Sequence, residues 1–121
     1  MIVKGHDFPD VTLVGIVDAD MSLHFADFRA TERTYQLITQ VAGRAGRADK
    51  PGEVVLQTYS PRHYVYRYIV NGDYAGFSEK EINLREVTKY PPFSRIVRVL
   101  VSCENEQLAH DVLKKIFDRL S

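Results

Sequence analysis

The sequence has no tryptophan and a single cysteine, Cys103. One thiol cannot form an internal disulfide, and no second cysteine is present to build a cysteine-based metal site. Cys103 follows closely on an apolar run, a position that predicts a buried, reduced and inert thiol. The residues therefore offer neither a disulfide framework nor a metal site, and we expect no metal ligands in this chain.

Long apolar runs and an excess of one charge are absent as well. No segment approaches the ~20 apolar residues of a membrane span, and the N-terminus lacks the apolar core of a signal peptide. We therefore expect a cytoplasmic protein without membrane contact. Sixteen Lys and Arg balance sixteen Asp and Glu, so no overall field attracts nucleic acid. Any such binding must come from the local placement of charge.

What is present is an ordinary globular composition with the pattern of an α/β fold. The chain of 121 residues is 45% hydrophobic. β-branched runs at 11–17 and 53–59 predict strands, and helical spacing between them predicts a helix from Phe28 to Arg47 with Asp27 as its N-cap. A strand, a helix and a strand in this order predict two parallel strands joined by a crossover helix. The predicted fold class is therefore α/β.

The second half of the chain predicts two further helices and a boundary. Residues 61–70 have the pattern of a short helix and residues 74–89 that of a longer one. The pair Pro91-Pro92 ends helical structure, because proline lacks the backbone donor and restricts the residue before it. We place a domain boundary here, between residues 1–90 and residues 91–121.

The segment after the boundary predicts one strand followed by one helix. The apolar and β-branched run at 95–103 predicts a third strand. Residues 106–120 have apolar positions at helical spacing, which predicts an amphipathic helix. Residues 91–121 therefore read as a β-α unit that begins a second domain.

The most informative segment reads QVAGRAGR and begins at Gln40. Glycine in a helix interior costs roughly 1 kcal/mol relative to alanine, so Gly43 and Gly46 indicate close approach of another backbone or a helix end. Gln40, Arg44 and Arg47 are spaced i, i+4 and i+7, which on a continuous helix places them on one stripe. Such a stripe can bind phosphate oxygens, since guanidinium is a permanently charged, forked donor. The spacing alone equally fits a solvated face near a helix end.

A second candidate segment reads KGHDFP and begins at Lys4. Gly5 gives the backbone the freedom to turn, and a proline precedes the first strand. His6 and Asp7 are adjacent in sequence, and neighbouring side chains rarely face one another. With no nucleophile nearby, a catalytic pair is not favoured. From the residues alone this segment is a turn.

Two aspartates follow the first predicted strand. Asp18 and Asp20 resemble a metal-binding pair, but near the end of a strand they can equally cap or position the following loop. No chemistry is assigned to them. Basic and aromatic residues also alternate from Arg62 to Tyr68, a mixture that can stack bases. At helical spacing Tyr64 and Tyr68 more simply form a helix face that packs on the sheet.

The segment QVAGRAGR resembles motif VI, QxxGRxGR, of superfamily 2 helicases and translocases. The resemblance implies that Arg44 and Arg47 act as arginine fingers on the charge that develops during phosphoryl transfer. It also implies that Gln40 and Gly43 lie beside the nucleotide.

The segment KGHDFP resembles motif V of the same superfamily, which touches both nucleotide and nucleic-acid backbone. This resemblance implies that Asp7 contacts the ATP ribose and that Gly5 belongs to the same nucleotide-binding turn. Lys4 and His6 are the residues that it implies for contact with nucleic acid.

The sequence around these motifs resembles that of the PriA-type family of DNA helicases. The stretches that carry the resemblance begin at Lys4 (KGHDFPDV), Ala26 (ADFRA), Gln40 (QVAGRAGR), Gly52 (GEVVLQT) and Tyr90 (YPPF). The resemblance implies part of a RecA-like second motor lobe in residues 1–90 and the start of the C-terminal domain in residues 91–121. It further implies ATP-dependent 3′-to-5′ unwinding at stalled forks. The implied partners are forked and single-stranded DNA, primosome proteins and single-strand-binding protein.

The sequence departs from that family in what it lacks. It contains no GxxxxGK[ST] loop and no DExH box, so ATP and Mg²⁺ are expected to be bound mainly by a first lobe outside this chain. The zinc-binding cysteines of the family are expected upstream as well. We therefore expect a fragment that is inactive by itself and whose open sheet edges favour self-association.

Two alternative readings remain open from the residues. One is a fragment of a RecG-like or Mfd-like fork translocase, which shares the logic of motif VI. The other belongs to a different class, a stand-alone module that binds nucleic acid or docks on a protein. Neutral net charge weighs against strong DNA binding by such a module, because affinity depends on the phosphates neutralised.

Overall fold

The computed structural model describes residues 11–46 and 51–120. Within them the elements are β1 (Leu13–Ile16), a 3-10 helix (Ala19–Ser22), α1 (Ala30–Ala42), β2 (Glu53–Leu56), α2 (Tyr64–Val70), α3 (Tyr74–Thr88) and α4 (Glu106–Leu120). The mixed α/β class predicted from the sequence is confirmed. No helix in this part of the chain is long and apolar enough to cross a membrane.

The two strands form a parallel pair. Leu13 lies opposite Glu53 and Ile16 lies opposite Leu56, and α1 lies between the strands in sequence, as predicted. The ladder continues past the strand ends, because Gln57 N donates to Ile16 O at 2.9 Å. The predicted strands are therefore present but shorter than the runs that indicated them.

The core lies among α1, α2, α3 and the 3-10 helix. Tyr35 and Ile38 project from one face of α1, and Phe77 of α3 stacks on Tyr35 with ring centroids 4.4 Å apart. Val65 and Tyr66 of α2 complete this core, with Val65 fully buried. The helical periodicity that predicted α1 thus marks the face that is buried.

The helix α1 begins later than its sequence pattern indicates. Its N-cap position is Arg29 rather than Asp27. Asp27 lies in the turn before the helix, where Oδ1 accepts from Arg29 N at 2.9 Å and Oδ2 pairs with Arg33 at 2.8 Å. The hydrogen bond from the Arg29 backbone, with the charge of Arg33, lowers the pKa of Asp27. The predicted capping role of Asp27 is therefore corrected to a role in the preceding turn.

The predicted third strand, at 95–103, is not formed. A strand needs a partner for its backbone groups, and no described segment pairs with these residues. Val97 is 87% exposed, and Cys103 is exposed rather than buried. The prediction of a buried thiol was wrong for the same reason, since no described layer covers this segment.

The helix that follows, α4, has the predicted bounds, but none of its residues is buried. The boundary at residue 90 stays a prediction.

Self-association of the chain stays a prediction, and its apolar surfaces indicate where to test it. Val97 lies in the uncovered segment, and Val55 of the two-stranded sheet is 51% exposed. We expect the mass measured by light scattering after size exclusion to rise with concentration, because unpaired apolar edges are templates for a second chain. Val97→Lys should lower that mass, whereas Val87→Lys, on the equally exposed face of α3, should not. A monomer at the highest concentration would contradict the prediction.

Candidate functional site

The candidate site lies where the QVAGRAGR segment leaves α1. Gln40 is exposed in the last turn of the helix, which ends at Ala42 with Gly43 as its C-cap. Gly43 N donates to Thr39 O at 2.9 Å, and Arg44 N donates to Val41 O at 3.1 Å. Arg44 therefore lies in the turn that follows the helix.

The predicted helical stripe is thus interrupted after Gln40. Gly46 has φ 76°, a left-handed conformation that glycine adopts readily and that a helix cannot contain. The sequence offered two explanations for Gly43 and Gly46, a helix end or the close approach of another backbone. Both hold, because α1 ends at this point and the backbone of Val11 approaches Gly46. The prediction of one continuous helical stripe is therefore corrected. Gln40 and Arg44 both lie at the end of α1, but they do not lie on one continuous helix face.

The described residues include part of the predicted site. Gln40, Gly43 and Arg44 are brought together at the end of α1, and the Nε atom of Arg44 is buried. The remaining predicted residues lie outside the described ranges, and their roles stay predictions. These are Lys4, Gly5, His6, Asp7 and Arg47.

A junction of three chain segments holds this turn in place. Gly46 N donates to Val11 O at 2.9 Å, and Glu53 N donates to the next carbonyl, Thr12 O, at 2.7 Å. Gly52 lies directly before Glu53 and against the Ala45–Gly46 backbone. We call this arrangement the three-segment junction. It joins the arginine-bearing turn to Val11 and Thr12, which directly precede β1, and Val11 lies four positions after Asp7 in the sequence.

A buried carboxylate organises the opposite end of the sheet. Asp20 is 1% exposed and accepts hydrogen bonds from Thr58 Oγ1 at 2.7 Å, Tyr59 N at 2.6 Å and Tyr66 Oη at 2.7 Å. We call these residues the Asp20 cluster. Burial by itself raises the pKa of Asp20, but the hydrogen bonds outweigh it and the pKa is lowered. Burial and the bond to Asp20 raise the pKa of Tyr66 to about 12.

The Asp20 cluster resolves one alternative that the sequence left open. Asp20 positions the loop after β2 and the first turns of α2, whereas Asp18 is exposed. Residues 11–46 and 51–120 hold no group of three or more His, Cys, Asp or Glu side chains placed to bind a metal ion. The contacts of Asp20 are therefore those of a structural carboxylate.

A second polar cluster joins three helices and was missed in the sequence. Arg85 of α3 contacts Glu32 of α1 at 2.9 Å and Glu81 at 3.2 Å, and Tyr64 of α2 donates to Glu81 at 2.7 Å. The guanidinium also lies 5.2 Å from the centroid of the Phe28 ring. We call this the Arg85 cluster. The i, i+4 spacing of Glu81 and Arg85 could have predicted their ion pair. Nothing in the sequence pattern indicated their contacts with α1 and α2.

Hydrogen bonds within the Arg85 cluster shift the pKa values of its members. Burial lowers the pKa of Arg85, but its hydrogen bonds to Glu32 and Glu81 outweigh that effect and raise it. Burial, with the bond to Glu81, raises the pKa of Tyr64. A groove of about 510 Å³ lies beside the cluster. Tyr64 and Tyr68 of α2 both pack near Phe77 of α3. They form a packed helix face as predicted, but the partner in these contacts is a helix and not the sheet.

Comparison with known proteins identifies the segment. No family model matches the chain. Replication restart protein PriA of Bacillus subtilis is 48% identical over 116 residues, which are 96% of this chain and 14% of that relative. This chain is homologous to one segment of PriA. The family resemblance predicted from the motifs is confirmed.

Other PriA relatives agree in extent. The replication restart protein PriA of Haemophilus influenzae is 45% identical over 118 residues, covering 98% of this chain and 16% of the relative. That of Synechocystis is 42% identical over 116 residues, covering 96% of this chain and 14% of the relative. The chain thus spans less than one fifth of the length of these relatives, and the similarity to PriA extends beyond the YPPF stretch that begins at Tyr90.

Proposed function

We propose that this chain supplies motifs V and VI to the second motor lobe of a cytoplasmic, ATP-dependent DNA helicase of replication restart. The similarity to replication restart proteins supports the process, and the sequences of the two motifs support the activity. The observation that carries the proposal is the hydrogen bond from Gly46 N to Val11 O at 2.9 Å. It ties the described part of motif VI to Val11, which follows the motif V segment closely in the sequence, and this supports the proposal that both nucleotide-binding segments share one edge of the lobe.

The chemistry of this edge suits the phosphates of a nucleotide. Arg44 offers a planar guanidinium with paired N–H donors, and Gln40 offers an amide in the preceding helical turn. Phosphate oxygens accept such bonds, and a guanidinium keeps its charge at any physiological pH. In this proposal ATP and Mg²⁺ are held mainly by another lobe. Arg44 and Arg47 then bind the phosphoryl oxygens and stabilise their growing charge during hydrolysis.

Contact with DNA is assigned to the segment before β1. Lys4 and His6 would contact the phosphate backbone of DNA, and Asp7 and Gly5 would contact the nucleotide. One short segment would then link the state of ATP to the DNA strand that is moved. The proposed activity is 3′-to-5′ unwinding of forked DNA. Primosome proteins and single-strand-binding protein are the proposed protein partners.

Phosphate release tests the proposal in two arms. The chain alone should hydrolyse no ATP, with or without single-stranded DNA, because an arginine finger assists only a nucleotide that other residues hold. The intact helicase should hydrolyse ATP and respond to DNA, and it should lose this activity when Arg44 is replaced. DNA-stimulated ATP hydrolysis by the purified chain would contradict the proposal. Full activity of the intact helicase with Arg44 replaced would contradict it as well.

A further inference from the structure

The strand entry at Gly52 touches the backbone of the arginine-bearing turn. A Cβ atom at Gly52 would lie 2.3 Å from both Ala45 C and Gly46 N, and 2.7 Å from Ala45 O. These distances are far below van der Waals contact, and all three atoms belong to the backbone. No rotamer change can relieve such a clash, so a side chain at Gly52 must push the start of β2 and the Ala45–Gly46 peptide apart.

The requirement at Gly52 is for space and not for conformation. Gly46 and Gly72 are the described glycines with positive φ, and Gly52 is not among them. Its backbone conformation is open to any residue. Glycine at this position is therefore explained by the close approach of the turn that follows α1.

The displaced turn has little freedom to move elsewhere. Two successive carbonyls, Val11 O and Thr12 O, accept from Gly46 N and Glu53 N. The turn is thus held on one side by Val11, just before β1, and on the other by Gly52. Arg44 precedes Gly46 by two positions, so a shift of the Ala45–Gly46 peptide is passed directly to the arginine backbone.

We propose that Gly52 is a positioning residue for ATP hydrolysis, which sets the location of Arg44 by letting the start of β2 lie against the Ala45–Gly46 peptide. This inference rests on the proposed function. The observed neighbours of Gly52 are backbone atoms of the turn that follows Arg44, so in this proposal its replacement acts on the rate of the chemical step through the position of Arg44. Misplacing a catalytic group by about 1 Å can cost about 10²-fold in rate.

The test compares two glycine-to-alanine variants of the intact helicase. Gly52→Ala should lower kcat for DNA-stimulated ATP hydrolysis about 10²-fold and leave KM for ATP within about twofold of its original value. The amide of Gly46 should also exchange faster with solvent, since its bond to Val11 is disturbed. Gly15→Ala is the matched control, because no heavy atom lies within 4 Å of a Cβ at Gly15 in β1. It should change neither quantity.

A double-mutant cycle with Arg44→Ala separates positioning from general damage. If Gly52 acts through Arg44, Gly52→Ala should cause little further loss in the Arg44→Ala helicase. Losses that multiply would overturn the inference, as would normal kcat in Gly52→Ala beside a strong loss in Arg44→Ala. Normal kcat in Arg44→Ala would instead overturn the proposed function. Should Gly52→Ala fail to fold, Gly46→Ala strains the same turn, and a normal kcat there would also overturn the inference.

Discussion

Replacing Arg44 with alanine in the intact helicase should lower the rate of ATP hydrolysis by roughly 10³- to 10⁵-fold. The guanidinium is needed most in the transition state, where negative charge spreads over the phosphoryl oxygens. Binding of ATP should stay largely intact, because other residues hold the nucleotide, and DNA unwinding should be lost with hydrolysis. Lysine should restore little activity, since a single ammonium cannot form the paired hydrogen bonds of the guanidinium fork.

The control for this experiment is an arginine within α1, the helix that precedes Arg44. Arg33 lies on the exposed side of α1 and pairs with Asp27 at 2.8 Å. Arg33→Ala removes an equal charge and should leave the hydrolysis rate nearly unchanged, because exposed ion pairs contribute little. Single-turnover hydrolysis and binding of a fluorescent ATP analogue separate chemistry from affinity. Near-normal turnover in the Arg44→Ala helicase would show that this arginine is structural.

Replacing Asp20 with alanine should destabilise the chain by about 3 to 5 kcal/mol. The substitution removes the acceptor of three donors, Thr58 Oγ1, Tyr59 N and Tyr66 Oη, and the bond to the Tyr66 hydroxyl is buried. Asp20→Asn keeps the size and one acceptor oxygen, so its loss should be smaller. Urea denaturation gives the free energy of unfolding, with the exposed Asp118→Ala as the control. A midpoint for Asp20→Ala equal to that of the control would show that the cluster contributes little.

The same carboxylate gives stability a defined dependence on pH. The folded pKa of Asp20 lies below its ordinary value of 3.8, so the folded state holds this proton less tightly than the unfolded state. Its contribution is complete above that ordinary value and is lost as the pH falls through the lowered folded value. Asp27 acts in the same direction. Asp20→Asn should therefore flatten the loss of stability in acid without abolishing it, and an unchanged acid profile would contradict the assignment.

The regular elements could be predicted because their signals are local. Asp73, which caps α3 by accepting from Gly76 N at 2.8 Å, lies next to Gly72 in a clear break between two helical patterns. The β-branched runs gave the parallel strands for the same reason. Local pattern also gave the arginine motif, since its residues lie within one short segment.

The features that could not be predicted depend on contacts across the chain. Thr58 and Tyr66 reach Asp20 over 38 and 46 positions, and no spacing rule links them. The helical pattern runs past the end of α1, but Gly46 N is bonded to Val11 O, a contact between distant positions that the pattern does not indicate. At residues 95–103 the β-branched composition was sound evidence for a strand. Composition cannot supply the partner that a strand requires.

The Arg85 cluster has a mechanical consequence for the lobe. Glu32 and Glu81 share one guanidinium, and Tyr64 is bonded to Glu81. Sliding one of the three helices past another would leave a charge in a largely desolvated place without its counterion. The cluster therefore resists relative sliding of α1, α2 and α3. At the same end of this helix group, Tyr90 follows α3 and stacks on Phe28, which precedes α1, so the chain leaves the lobe at residue 90 from a fixed point.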